Sequence, residues 1–268
     1  INCYQKSNLE NGGIMRKSLL VLVCIVAGVV FITSQGMALE VGVRGYYWLP
    51  TLNGDIKVDG NGITGTTLDL ENDLGLDDEY YPVIEFFAGI GNHHLSLSYY
   101  KAEYDGSKVL TKTITFNGKT FNASDLINTS LEYNVYDIVY QYDILDLENI
   151  LAGFSIGLVG KLKVIDGSVE IKSSALSTSD DFTAPIPLVG ANLHLGILAN
   201  LLEARLLGTG VGYGNGSMFD IQADLSITPF PLVDIHGGYR LFFIDVDAGD
   251  VEFNYNTSGP YMAVTVSF

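Results

Sequence analysis

The chain has 268 residues, of which 31 are Asp or Glu and 14 are Lys or Arg, so its formal net charge is −17. A chain this acidic offers no basic patch that could neutralise phosphates, which argues against a nucleic-acid partner. Its two cysteines, Cys3 and Cys24, lie near the amino terminus, so no disulfide is expected in the remainder.

An export signal is predicted near the amino terminus. Met15-Arg16-Lys17 is basic, an apolar run of 14 residues extends from Leu19 to Ile32, and Gly36-Met37-Ala38 has the small residues of a cleavage site. This three-part pattern is typical of a secretory signal peptide, here 15–38. The apolar run is too short to be a comfortable transmembrane helix.

The residues on either side of this signal complete the predicted domain organisation. Residues 1–14 fit no part of the export signal and are interpreted as an untranslated leader. The mature chain is expected to be 39–268, with 11 basic and 30 acidic side chains and no cysteine. Without disulfides, it must be held together by its fold alone.

The mature chain alternates between apolar and polar residues in segment after segment. Tyr136, Ile138 and Tyr140, for example, alternate with Asp137 and Gln141. Segments of about 9–12 residues suit tilted membrane-spanning strands and exceed the usual globular strand of about 5–6. Ten strands are predicted, near 40–49, 81–91, 94–104, 132–144, 151–164, 187–198, 201–213, 217–228, 232–245 and 259–268.

The connections between these strands mostly alternate between long and short. Long polar loops are predicted at 50–80, 105–131, 165–186 and 246–258. Tight turns are predicted at Gly91-Asn92-His93, 145–150, Ala199-Asn200 and Pro229–Pro231. Gly214-Asn215-Gly216 is an exception, because it is short where a long loop is due. Such asymmetry is typical of an all-β, antiparallel, up-and-down transmembrane barrel; eight or twelve strands are the alternatives to ten.

Two segments between the strands need separate interpretation. Leu193–Leu207 also approximates helical spacing, but its polar residues alternate with apolar neighbours, which favours two strands. Asn117-Gly118 lies between alternating flanks and predicts a hairpin. That hairpin is expected to project above the membrane rather than to join the barrel.

The carboxyl-terminal strand places Val264, Val266 and the terminal Phe268 on one face, opposite Thr265. By itself this pattern fits either an outer-membrane strand or the last strand of a soluble sandwich. The export signal favours the membrane. A terminal aromatic residue resembles the signal by which the bacterial barrel-assembly machinery recognises its clients, so deleting Phe268 is expected to impair assembly.

Several short motifs resemble a family. The pattern Gly45-Tyr46-Tyr47-Trp48-Leu49-Pro50, the acidic segment Leu68–Glu79 and the terminal Phe268 are similar to those of small, poorly characterised outer-membrane β-barrel proteins of Gram-negative bacteria. The resemblance spans most of the mature chain and implies a porin-like barrel in the outer membrane, in contact with lipid and lipopolysaccharide. It implies no catalytic residue.

Charged residues on the non-lipid face of the predicted strands are expected to line the lumen. An eight-stranded barrel is filled by its side chains, and open aqueous channels need about 16–18 strands. Ten strands therefore favour a narrow or plugged polar lumen over a wide pore, and the excess of acid would make any leak cation-selective. The lumen candidates are Glu40, Arg44, Glu85, Asp137, Asp143, Lys161, Lys163, Glu203, Arg205, Asp220, Asp224, Asp234 and Arg240.

The alternative function is an outer-membrane enzyme that acts on lipid or protein at the cell surface. An omptin-like protease has acidic and histidine groups at its outer rim, whereas His93, His94, His194 and His236 are all predicted near the periplasmic end. The one Gly-x-Ser-x-Gly match, Gly153–Gly157, lies within a predicted strand and not at the strand-to-helix turn that forms a nucleophile elbow. A non-enzymatic barrel without a cofactor is therefore the expectation.

Two loops are rich in acid and raise the question of a metal. Asp245-x-Asp247-x-Gly249-Asp250 offers oxygen ligands of the kind that Ca²⁺ prefers, but the spacing lacks the downstream Glu of an EF-hand. A solvated acidic loop near lipopolysaccharide is the favoured interpretation, and no metal site is predicted.

Overall fold

The structure is a computed structural model that describes residues 39–147, 153–197, 201–214 and 216–268. The predicted leader, the signal peptide, the cleavage site after Ala38 and most of the predicted turns at 145–150 and 199–200 lie outside those residues. Within the described ranges no helix has the length and hydropathy needed to cross a membrane.

Strands account for nearly all the regular structure, and we number them in chain order. Ten long strands are β1 (Leu39–Trp48), β4 (Tyr81–Ile90), β5 (His93–Val109), β8 (Leu126–Asp146), β9 (Phe154–Lys172), β10 (Ser177–Ile197), β11 (Leu202–Tyr213), β12 (Gly216–Phe230), β13 (Val233–Ala248) and β14 (Val251–Ser267). Four short strands are β2 (Thr51–Val58), β3 (Leu68–Asp69), β6 (Ile114–Phe116) and β7 (Lys119–Phe121).

The ten long strands form a closed barrel. Each pairs antiparallel with its neighbours in chain order, and β14 returns to pair with β1 from Gly42↔Ser267 to Trp48↔Tyr261. Closure leaves no free edge at this level of the sheet, as a membrane-spanning sheet requires. The predicted fold class and the count of ten strands are confirmed. The segment that approximated helical spacing is indeed two strands, β10 and β11.

Several strands are longer than predicted, and the long-loop predictions at 165–186 and 246–258 are wrong. β9 and β10 pair as far as Lys172↔Ser177, and β13 and β14 are separated only by Gly249-Asp250. The predicted loop 105–131 is likewise shortened at both ends, to 110–125, because β5 pairs with β8 as far as Val109↔Leu126. The short Gly214 link is confirmed, since Tyr213 pairs with Gly216.

The predicted first loop also contributes to the barrel wall. β14 pairs with β1 over its last residues and with β2 from Val251↔Val58 to Ser258↔Thr51, so β2 continues the line of β1. Pro50 separates the two, because proline has no N–H to donate to the ladder. The prediction that residues 50–58 belong to a long polar loop is therefore wrong.

A belt of apolar side chains faces outward around the barrel. On β8, Tyr136, Ile138, Tyr140 and Tyr142 are 40–47% exposed, while Asp137 between them is buried. An exposed apolar surface of this extent is abnormal for a water-soluble monomer and suits contact with lipid.

Above this belt the outward side chains become polar and the inward side chains become apolar. The alternation itself continues, so every second residue still faces outward. On β8, Glu132 points outward, whereas Leu131 and Tyr133 are buried. On β14, Asn254 is likewise exposed beside buried Tyr255. The strands therefore leave the membrane near this level, and their outer portions enclose an apolar core. We call this end the outer end, and the end with the tight turns and the carboxyl terminus the inner end.

Connecting segments cover part of the outer core. β6 and β7 form a separate two-stranded hairpin about Asn117-Gly118, both with positive φ, as predicted. Their Ile114, Phe116 and Phe121 are fully buried. The acidic segment after β2 also contributes buried leucines to this core: Leu68, Leu70, Leu74 and Leu76.

Candidate functional site

Five charged side chains meet at the centre of the barrel. This central charge cluster consists of Asp137 on β8, Lys161 and Lys163 on β9, Asp220 on β12 and Arg240 on β13. Lys161 and Lys163 share a face because successive strand residues point to opposite sides. All five are buried, so three cations and two carboxylates share one region of low water content.

Asp220 is the principal acceptor of the cluster. Arg240 binds it with two hydrogen bonds, from Nε to Oδ1 at 3.0 Å and from Nη2 to Oδ2 at 2.8 Å. Lys161 donates to the same carboxylate at 3.0 Å, and the Lys163 ammonium lies 3.3 Å away. This forked Arg–carboxylate geometry is the strongest arrangement available to such a pair.

Lys163 is the least accessible charge in the cluster, with a relative exposure of 0%. Its Nζ lies 2.8 and 2.9 Å from the two carboxylate oxygens of Asp137. It also lies 5.2 Å from the centre of the Phe242 ring and 6.0 Å from that of Tyr100. A buried ammonium is tolerable only with such partners, because desolvation costs several kcal/mol for each ion.

Aromatic rings support Arg240 from the outer side. Its guanidinium lies 4.8 Å from the centre of the Trp48 ring and 5.5 Å from that of Tyr100, and it donates to the Tyr46 hydroxyl at 2.9 Å. Tyr81 stacks on Tyr100 at 5.2 Å. Stacking of this kind suits arginine, whose planar cation is weakly hydrated.

A second cluster, nearer the inner end, surrounds Asp224. Arg205 donates to Asp224 from Nη2 at 2.8 Å and from Nε at 3.0 Å. The Tyr261 hydroxyl donates to it at 2.7 Å, and His236 Nδ1 lies 3.1 Å away. Tyr261 reaches Asp224 by passing over Gly238, where an added Cβ would lie 2.4 Å from the ring.

The inner end of the barrel contains a polar cavity of about 220 Å³. Arg44, Glu85, Glu203 and Asp234 line it, and Glu40 lies at its exposed rim. Arg44 Nη1 lies 3.5 Å from Glu85, and Asp234 accepts a hydrogen bond from Thr228 at 2.6 Å. This cavity is separated from the outer end by the Asp224 cluster and the central charge cluster.

The sequence-predicted lumen residues thus fall into three groups. The central cluster and Asp224 are deeply buried, whereas Arg44, Glu85, Glu203, Arg205 and Asp234 contact the inner cavity and Glu40 is exposed at its rim. Asp143, also buried, accepts a hydrogen bond from Gln141 and lies 2.9 Å from His94.

A tyrosine layer above the central cluster was missed by counting charges alone. The Tyr255 hydroxyl lies 2.8 Å from that of Tyr133 and 3.2 Å from that of Tyr104. Burial raises the pKa of Tyr255 well above its usual range, so its hydroxyl keeps its proton. The signal was present in the sequence, because these tyrosines alternate with outward-facing residues along their strands.

All four histidines lie in the inner half of the barrel, and each has a partner. His93 contacts the Tyr140 hydroxyl at 2.7 Å, His194 lies 3.2 Å from Glu203, and His236 bridges Asp224 and Thr265. In the described part of the chain, no group of three or more His, Cys, Asp or Glu side chains is placed to hold a metal ion.

Three carboxylates of the first loop, Asp69, Asp73 and Asp78, accept hydrogen bonds from backbone amides. Asp69 accepts from the Glu71 amide at 3.0 Å, and Asp78 accepts from the Leu52 amide at 2.6 Å. Lys112 forms an ion pair with Asp73 at 2.9 Å. These acids therefore shape the turns that carry the buried leucines.

Comparison with known proteins identifies relatives only at the level of fold. No protein-family model matches the sequence, and no curated protein does. Among solved structures, the outer membrane protease OmpT from Escherichia coli is similar with a TM-score of 0.61 at 7% identity, over 88% of this chain and 99% of that one.

Two further outer-membrane proteins match with lower scores. Ail, the attachment invasion locus protein of Yersinia pestis, has a TM-score of 0.39 at 14% identity, over 87% of this chain and 100% of that one. The translocator domain of the autotransporter NalP from Neisseria meningitidis has a TM-score of 0.40 at 12% identity, over 98% of both chains. The chain thus shares with OmpT the fold of an outer-membrane β-barrel, and its apolar belt suits contact with lipid.

Proposed function

We propose that this protein is a non-enzymatic outer-membrane barrel whose polar interior is plugged. The observation that carries the proposal is the central charge cluster, in which Lys163 has no exposed surface. Its members come from β8, β9, β12 and β13, and Arg240 reaches Tyr46 on β1, so the contacts span the interior. Because all five side chains are buried and their contacts reach from β13 to β1, the cluster supports a closed interior at this level.

The size of the barrel supports a plug. About eight strands enclose a space that side chains fill, whereas an aqueous channel needs about 16–18. Ten strands lie near the filled limit, and the arginine, the lysines and the tyrosine layer are large side chains. Their mutual hydrogen bonds replace the water that an open pore would supply.

The chemistry of the outer end also favours a non-enzymatic role. A general base must lie within hydrogen-bond reach of its substrate, and the four histidines lie in the inner half, each against a partner. The fold shared with a protease supplies an alternative, an enzyme acting on surface protein or lipid. Hydrolysis of peptides or phospholipids by the purified barrel, at a rate that depends on a named side chain, would favour that alternative.

Planar-bilayer recording of the refolded protein tests the plug. The wild-type protein is expected to be silent or nearly so. Removing the plug by combining Lys163→Ala with Arg240→Ala should produce steady openings. Leu158→Ala on the lipid face serves as the matched control and should stay silent. Large, anion-selective openings of the wild-type protein would contradict the proposal.

A further inference from the structure

The outer end of the barrel contains an apolar cavity of about 190 Å³. Leu131, Val169, Phe242 and Phe253 are among its lining residues, and Asp180 is its one charged neighbour. Its floor consists of Tyr133 and Tyr255, whose hydroxyls bind each other at 2.8 Å. The hydroxyls are thereby satisfied, and the rings present carbon to the cavity.

The barrel wall beside this cavity is lower at β11 and β12 than at β10. β10 pairs with β9 from Ser177↔Lys172 to Leu195↔Phe154, but its ladder with β11 begins only at Val189↔Gly210. The described pairing of β11 with β12 ends at Tyr213↔Gly216, below the outer half of β10. Phe182, which is 37% exposed, and Ala184 line the cavity. Both lie in the part of β10 that pairs with β9 but has no partner on its β11 side. The cavity therefore opens sideways above the short β11–β12 hairpin.

The unpaired edge of β10 is protected from pairing with another strand. Pro185 and Pro187 lie two residues apart within it, and neither has an N–H to donate. Prolines at a sheet edge prevent a further strand from adding there. Nearer the tip of β10, Asn117 Nδ2 donates to the Ser179 carbonyl at 3.2 Å and Lys119 Nζ donates to that of Ser177 at 2.6 Å. The prolines therefore keep another strand from adding beside the opening, between this hairpin contact and the β11 ladder.

From these observations we propose that the cavity binds one small, neutral, apolar molecule, the size of a monocyclic or small bicyclic hydrocarbon. A cavity of about 150 Å³ lined by aliphatic and aromatic residues stays dry and accepts benzene. Ligand pockets in general combine apolar walls with few polar groups. With a largely apolar lining and about 190 Å³, the cavity suits such a ligand better than it suits a polar one.

The surroundings of the opening favour a free molecule over a lipid acyl chain. The outward faces beside it carry exposed Asp181 on β10 and exposed Asp245 and Asp247 on β13. An acyl chain would have to leave the bilayer and pass these carboxylates, whereas a dissolved apolar molecule reaches the opening directly. The tyrosine floor makes the cavity a dead end, so this binding does not depend on whether the barrel conducts.

Fluorine NMR of 1-fluoronaphthalene tests the proposal. The refolded protein is placed in lipid nanodiscs, and empty nanodiscs of the same lipid report partitioning into the bilayer. The protein should add a saturable bound signal of one probe per barrel. Val169→Trp, which fills the cavity, and Ala184→Phe, which narrows its opening, should each weaken binding about tenfold or more. Leu158→Trp, on the lipid face of the same strand, should not.

Each remaining outcome overturns the inference. No difference between loaded and empty nanodiscs would show that the cavity does not take the probe. Unchanged binding in both cavity variants, with folding checked by gel mobility without boiling, would place the probe elsewhere. Displacement of the probe by lipid A at stoichiometric amounts would assign the cavity to an acyl chain. If Val169→Trp does not fold, the binding result for Ala184→Phe decides the test. Ala184 is only half-buried, so a larger side chain is better tolerated there.

Discussion

The central charge cluster predicts that two substitutions of similar size have unequal costs. Lys163→Met removes the most buried cation, and the thioether occupies almost the same volume beside Phe242 and Tyr100. Asp220→Asn preserves shape but removes a carboxylate. In the native cluster three cations face two carboxylates. The lysine variant leaves two of each, whereas the aspartate variant leaves three cations with Asp137 alone.

The contacts give the magnitudes. Asp220 is bound by Arg240 at 2.8 and 3.0 Å and by Lys161 at 3.0 Å, and removing one partner from a buried ionic group costs about 3–5 kcal/mol. After Lys163→Met, Asp137 still has Arg240 at 3.6 Å and Lys161 at 3.9 Å. The desolvation penalty of the ammonium also disappears, so we expect a cost of about 1 kcal/mol or less.

Urea titration of the protein refolded into lipid vesicles measures both costs, with the heat-modifiable band on unboiled gels as the readout. Lys101→Met is the matched control, because Lys101 is exposed and pairs with Glu103 and Glu132 at the surface. No change is expected there. If Lys163→Met proves as destabilising as Asp220→Asn, the charge-count argument is wrong.

Three further outcomes are expected. Val266→Asp, on the lipid face, should deplete the folded form, since a charge there costs up to about 2–4 kcal/mol for a base and less for an acid; Thr265→Asp, which faces inward, should be tolerated better, and equal effects would remove the inside–outside assignment. Gly238→Ala should cost about 1–3 kcal/mol in urea, because the added Cβ would clash with the Tyr261 ring and with the Ala223 carbonyl. The cost should fall in a Tyr261→Ala background, where only the carbonyl clash remains, and an undiminished cost there would show that the ring does not contribute. N-terminal sequencing of the protein from outer membranes should find cleavage after Ala38, and a chain that retains its signal would contradict this.

Strand periodicity accounts for how much of the fold could be predicted. Within the membrane, outward residues are apolar and inward residues are polar, as with Tyr136 and Ile138 around Asp137. This regular alternation predicted the strands and their number. Beyond the membrane the outward residues become polar, so segments such as Asp180-Asp181 and Val246–Ala248 resembled loops although they continue strands. Sequence polarity cannot separate an exposed strand face from a loop when the solvent itself changes along the strand.

The interior was less predictable for a different reason. Alternation indicates which side chains share the inner face, but the partner of each depends on the stagger of strands distant in sequence. Lys161 meets Asp220, 59 residues away, and Arg240 meets Tyr46, 194 residues away. No local pattern encodes those distances. The tyrosine layer was missed because tyrosine is common on both faces of a membrane barrel.

The reversal of polarity above the belt has a consequence for how the chain enters the membrane. Outward-facing Glu132, Asn254 and Asp245 must cross the hydrocarbon before they reach the external medium. The apolar residues behind them, such as Leu131 and Val169, pack fully only when the strands and their covering segments arrive on the far side. Withdrawal toward the periplasm would therefore require this core to unfold first, which makes insertion directional.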